Sequence, residues 1–147
     1  MSAYRTVVVG TDGSDSSMRA VDRAAKIAGE DAKLIIASAY LPQHEDTRAA
    51  DALREESYKV SGTAPIYAIL QDAKERAHSA GAKNVEERPI EGAPVDALVH
   101  LAEQEKADLL VVGNVGLSTI AGRLLGSVPA NVSRRAKVDV LIVHTTP

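Results

Sequence analysis

Cysteine is absent from all 147 residues. That removes disulfides, thiolate nucleophiles and cysteine-held metals together, and it leaves nothing that requires an oxidising compartment. Long hydrophobic runs are also missing: no apolar stretch approaches the roughly 20 residues that a membrane helix needs. The opening residues, MSAYRTVVVG, hold one arginine and then a short strand-like run, with no long apolar region and no small-residue cleavage site. A cytoplasmic protein without a membrane partner is expected. Neither charge sign dominates, since 17 basic residues face 20 acidic ones, dispersed along the chain for a net charge of -3. That balance offers no broad basic surface to a nucleic acid.

Catalytic patterns are equally scarce. His44, His78, His100 and His144 are scattered, with no HExxH and no acid–histidine spacing that suggests a metal or a triad. Ser118 and Ser127 lack a GxSxG elbow, because position 120 is isoleucine. No GxxxxGK[ST] motif occurs. No catalytic residue is therefore assigned, and no metal site.

What is present is an alternation. Thr6 to Val9 is a β-branched run that ends in Gly10-Thr11-Asp12-Gly13 and gives way to a polar stretch with Ser14, then to Met18, Val21, Ala24, Ala25 and Ala28, closed by Gly29. Strand, turn and amphipathic helix fit that order. Lys33 to Tyr40 reads as a strand apolar enough to be covered on both faces, and it ends in the small residues Ala37-Ser38-Ala39. Helical rhythm follows over 48–60, is interrupted over 61–64, and resumes from Pro65 to about Ala80; 41–64 is expected to be the mobile part. Val85 to Ile90 carries charges and Pro89, which suits an edge strand. A helix from Pro94 to Glu105, a strand from Leu109 to Gly113, a helix after Gly126-Ser127 and a strand from Val138 to His144 complete the chain.

At this length one domain is expected, since single domains commonly run roughly 100 to 200 residues. Strands alternating with helices predict an α/β fold, a doubly wound parallel sheet of five strands with helices on both faces. Ligands of such sheets sit beyond the carboxyl ends of strands where the winding reverses.

The chain is organised around the segment after the fourth strand. Gly113 and Gly116 stand three apart, nine residues follow, and Gly126-Ser127 then opens a helix with Pro129 near its start and Arg134 and Arg135 near its end. Glycines let the backbone approach a bound group, and the free amides of a helix start favour a phosphate. Three separated pieces would meet there: Gly10-Thr11-Asp12, Ala39 and Gly113. A nucleotide would fit lengthwise, with its base over the small end of the second strand, its ribose near Asp12, and its phosphates on Gly116, Gly126, Ser127 and Val128. An ionised carboxylate suits a ribose because it only accepts hydrogen bonds, which each hydroxyl can donate. An ordinary turn or cap role for Asp12 competes with that. Arg123 is the one cation between Gly116 and Gly126, so a single phosphate is easier to satisfy than a triphosphate.

The pattern Gly113-x-x-Gly116, nine residues, Gly126-Ser127 resembles the nucleotide loop of the universal stress protein family. The resemblance is strong over 4–29 and 109–144 and loose over 42–93. It implies a strand order of 3-2-1-4-5. It also implies an adenine nucleotide, ATP or cyclic AMP, as the bound ligand, with magnesium entering only beside ATP. The implied site comprises Asp12 after the first strand, Ala39 at the end of the second, the glycine loop, and the flanking Val112 and Val128. Gly10 departs from the proline often found at its position in the family. The resemblance further implies a homodimer through the C-terminal strand and a sensing, sequestering or regulatory role in stress. A slow ATPase or adenylyl-transfer enzyme is the alternative. A phosphoacceptor receiver domain would need an aspartate and a lysine where Glu91 and Thr145 stand nearest.

Overall fold

The computed structural model describes residues 4–40, 64–114 and 127–144, and for 64, 65 and 127–130 the backbone alone. The helix expected over 48–60, the mobile region expected over 41–64 save its last residue, and the loop residues Gly116, Arg123 and Gly126 lie outside the described residues.

Five strands and four helices are described: β1 (Thr6–Gly10), α1 (Asp15–Ala28), β2 (Lys33–Tyr40), α2 (Ala64–Ser79), β3 (Asn84–Glu91), α3 (Pro94–Gln104), β4 (Leu109–Gly113), α4 (Ser127–Arg135) and β5 (Asp139–Val143). The strands form one sheet in the order β3-β2-β1-β4-β5, with every pairing parallel. The expected order and the edge position of the charged third strand are both found.

The three inner strands are buried almost throughout because each must supply both faces of the sheet. Val7, Val9, Leu34, Ile36, Leu109 and Val111 point to one side, where α1 and α2 contribute Met18, Val21, Leu70, Ala73 and Ala77. Val8, Ile35, Leu110 and Val112 point to the other, where α3 and α4 contribute Leu98, Leu101, Ala102 and Val132. The period of two along a strand makes that division. The helices change faces between α2 and α3, so the winding reverses between β1 and β4.

Local chemistry fixes the ends. Ser14 caps α1 at φ -73 and ψ 156, its Oγ accepting from the Ser17 amide at 3.1 Å. Gly29 closes that helix at φ 58, its amide donating to the Ala25 carbonyl at 2.9 Å. Pro94 starts α3 at a position where its missing N–H has no helical partner to lose. Asp108 joins β4 to β1 before either strand is buried: its Oδ2 accepts from the amides of Arg5 and Thr6 at 2.9 and 3.0 Å, and its own amide donates to the Thr6 carbonyl at 2.8 Å. Ion pairs tie the helices on each face, Arg76 to Asp22 between α2 and α1 and Arg135 to Asp96 between α4 and α3.

The charges in β3 are satisfied by their neighbours. Glu86 and Arg88 stand beside Ile35 and Ala37 in the register, facing α3. Arg88 binds Glu86, and Lys33 Nζ lies 3.1 Å from Glu86 Oε1, while Arg88 Nη1 reaches Glu105 at 3.2 Å. The Arg88 guanidinium, with Lys33 assisting, holds the Glu86 carboxyl below its ordinary value against the opposing effect of burial. Pro89 pairs with Ser38 on this edge strand, where a missing N–H can face solvent.

Candidate functional site

Helices that return between parallel strands run against them, so α1, α3 and α4 all begin at the carboxyl edge of the sheet. The register of β1 with β4 pairs Val9 with Val111. Its continuation sets Gly10 beside Val112 and Thr11 beside Gly113, at the point where the winding reverses. Strand parity places Gly10 after Val8, Ala37 and Ala39 after Ile35, and Val112 after Leu110, all on the face that α3 and α4 cover.

A cleft opens there, lined by Gly10, Thr11, Asp12, Ala37, Ala39, Pro94 and Leu98, with ≈ 270 Å³ of empty space that is partly open to solvent. Its floor is made of the smallest residues available, a glycine and two alanines, at the ends of two adjacent strands. Its wall is the first turn and a half of α3. Three expected site residues therefore line one space: Gly10, Asp12 and Ala39. Val112 and Gly113 are buried at the end of β4, with Gly113 paired to Val143 across β5 and the Asn114 amide donating to the Val143 carbonyl at 2.9 Å. Ser127 and Val128 form the first turn of α4.

Asp12 is half-buried and well held. Its Oδ1 accepts from the Ser14 amide at 2.9 Å and from the Ser17 hydroxyl at 3.0 Å. The cap role that competes with ligand binding is thus real, but it occupies one oxygen of the two. Thr11 and Ser17 are buried at 1% and 0% exposure, and their hydroxyls lie 2.7 Å apart. Gly13 takes φ +88, and a side chain there would meet Ile69 on α2 at 3.0 Å. That glycine answers both a backbone conformation and a close approach.

No lysine, arginine or histidine lines the cleft among the described residues. Nor do three or more acidic or histidine side chains gather there or elsewhere among them as a metal site would require. What the cleft offers is a mostly apolar lining and one carboxylate acceptor, beside helix starts whose first amides have no partner within the helix itself. Such a set can stack a base and hold a hydroxyl.

Three participants escape sequence reasoning. Ser17 reads as an ordinary residue of the first turn of α1, and its contact with Thr11, which belongs to an expected piece of the site, depends on how the β1–α1 turn folds back. Pro94 and Leu98 read as an ordinary helix start and core position; only the path of α3 over β2 brings them to the floor alanines. His78 is structural, its Nδ1 2.9 Å from the Ala82 carbonyl. His100 and His144 are exposed.

The chain matches the model of the universal stress protein family over residues 3–144. A universal stress protein of Mycobacterium tuberculosis is 90% identical over 146 residues, a match that covers 99% of this chain and 100% of the relative. Among solved structures, a universal stress protein in complex with cAMP superposes with a TM-score of 0.76 at 66% identity, covering 99% of this chain and 100% of that one. A universal stress protein family member from Arabidopsis thaliana with AMP bound has the same fold at a TM-score of 0.68 and 19% identity, over 97% of this chain and 92% of its own. No described helix is long and apolar enough to cross a membrane. With the family model spanning nearly all of the sequence and the sheet wound in the order expected of it, this chain belongs to the universal stress protein family.

Proposed function

We propose that this protein binds an adenine nucleotide across the carboxyl ends of β1, β2 and β4 and works as a sensing or sequestering module. The observation that carries the reading is the cleft floored by Gly10, Ala37 and Ala39 with Asp12 at its rim, at the reversal of the sheet. The base lies on the alanines, a ribose hydroxyl donates to Asp12, and the phosphate meets the amides of Gly116, Gly126, Ser127 and Val128, with Gly113 leaving room for the approach. The similarity to a structure solved with cAMP, at 66% identity, supports this class of ligand. A monophosphate fits better than ATP, because the described wall supplies no cation to offset a triphosphate. Magnesium enters only if ATP is the ligand.

Calorimetry with cAMP, AMP, ADP and ATP, the last with and without magnesium, tests the reading directly. Heat of binding with cAMP or AMP is expected, and folded protein that gives none with all four ends the proposal. Product analysis of the ATP sample separates a binding module from a slow ATPase or adenylyl-transfer enzyme, which would release ADP or pyrophosphate.

The same reading includes a homodimer through β5. This strand ends the sheet at one edge, with Val140 and Leu141 half-buried and Ile142 41% exposed. An edge with free backbone groups and apolar side chains templates pairing with a second copy. Ile142→Lys adds charge at an exposed position, so folding is retained while pairing is opposed. Sedimentation is expected to move from dimer to monomer, with the dissociation constant raised at least about tenfold; an unchanged dimer removes β5 as the interface.

A further inference from the structure

Behind the cleft lies a run of hydroxyls whose direction can be read. Ser17 Oγ accepts from the Asp12 amide and the Ser14 hydroxyl at 3.2 Å each, and for its one proton three acceptors lie in range: Thr11 Oγ1 at 2.7 Å, Asp12 Oδ1 at 3.0 Å and the Ser14 carbonyl at 3.0 Å. Thr11 Oγ1 already accepts from the Gly13 amide at 3.1 Å, and its own proton has Ser17 Oγ as its shortest partner. The carboxylate is the strongest acceptor of the three, since a hydrogen bond to a charged group exceeds a neutral one. The consistent assignment is a chain in which the Gly13 amide donates to Thr11, Thr11 donates to Ser17, and Ser17 donates to Asp12 Oδ1. Hydrogen bonds in such a series polarise one another. Both hydroxyl residues are at least nine-tenths buried, so water does not compete for the chain.

The consequence falls on Asp12. Its Oδ1 is pinned toward the first turn of α1 by the Ser17 hydroxyl and the Ser14 amide. A carboxylate is planar, so Oδ2 is directed away from that helix, and Asp12 lines the cleft. Among the described residues no hydrogen bond reaches Oδ2. We propose that Ser17 is a positioning residue: by fixing Oδ1 it presents Oδ2 to a ribose hydroxyl, and so makes the site select ribonucleotides over deoxyribonucleotides. This inference rests on the nucleotide reading above and adds the residue that confers sugar specificity. Without Ser17 the carboxylate would be free to turn, and ordering it would be charged against binding.

Cyclic AMP and its 2′-deoxy analogue are the probes, because the cyclic phosphate leaves the sugar a single hydroxyl. The native chain is expected to prefer cAMP by about tenfold or more, the discrimination typical of one hydrogen bond to a charged group. In Ser17→Ala the preference is expected to fall to about twofold, through weaker cAMP binding and unchanged binding of the analogue. Ser17→Cys fills the site with a somewhat larger atom while replacing a strong donor with a weak one, and it is expected to do the same if the alanine variant folds poorly. Gly29→Ala strains the far end of the same helix, at φ 58 with nothing within 4 Å of the added carbon. It should lower the melting temperature and leave the sugar preference as in the native chain. The inference is overturned if either Ser17 variant folds and keeps the native preference, or if Gly29→Ala loses it to the same degree. Failure of the native chain to bind either nucleotide would instead end the nucleotide reading itself.

Discussion

Ala39→Phe is expected to lower the affinity for cAMP or AMP by at least about 100-fold, or about 2.7 kcal/mol, while changing stability by no more than about 1 kcal/mol. Ala39 stands two residues after Ala37 on the face of β2 that looks toward α3, in register with Ile90. It lines the cleft together with Gly10 and Pro94. A phenyl ring added there enters the cleft, because the sheet lies behind it and its neighbour in β3 lies to the side. An aromatic side chain is well tolerated at the end of a strand, and the cleft is open to solvent, so the ring has somewhere to go without forcing the core apart. The space it occupies is the space assigned to the base. Calorimetry and thermal unfolding of the one variant decide the matter: a well-folded Ala39→Phe protein with native affinity would show that the ligand lies elsewhere.

The floor of this site was legible in the sequence because strand ends announce themselves. Gly10 and Ala39 follow β-branched or apolar runs, and a run that stops in small residues leaves room wherever it stops. The winding order came from resemblance, since periodicity gives the type of each element and not its neighbour. The charged β3 was legible as an edge because Pro89 and three charges could not be buried on both faces. Asp12 shows the limit of such reading. Its two possible roles, turn residue and ligand acceptor, differ only in which oxygen is used, and a sequence does not distinguish Oδ1 from Oδ2. The part played by Ser17, Pro94 and Leu98 depends on how the β1–α1 turn folds back and on where α3 crosses the sheet, which are matters of tertiary path that no local pattern carries.

Leu98→Ala separates the two faces of the sheet by what it does to binding. Leu98 is 2% exposed, packs with Val8, Ile35, Leu101 and Leu110 beneath α3, and forms one wall of the cleft. Leu70 is its counterpart on the other face, 0% exposed beneath α2 and packed with Leu34 and Ile36. Truncating either leucine removes buried methyl groups and leaves a cavity, at a cost of about 2 to 5 kcal/mol. That is a large part of the about 5 to 15 kcal/mol that keeps a domain folded, and it corresponds to a fall in melting temperature of roughly 5 to 15 °C in a chain of this size. The two variants should therefore look alike in thermal unfolding. Their affinities should not, because the cavity left by Leu98 opens into the cleft, whereas the one left by Leu70 lies across the sheet from it. Leu98→Ala is expected to bind cAMP about tenfold more weakly, having lost one surface against the base, and Leu70→Ala is expected to bind as the native chain does. Equal affinities in the two variants would mean that the wall of α3 takes no part in holding the nucleotide. A loss confined to Leu70→Ala would move the site to the face of α1 and α2.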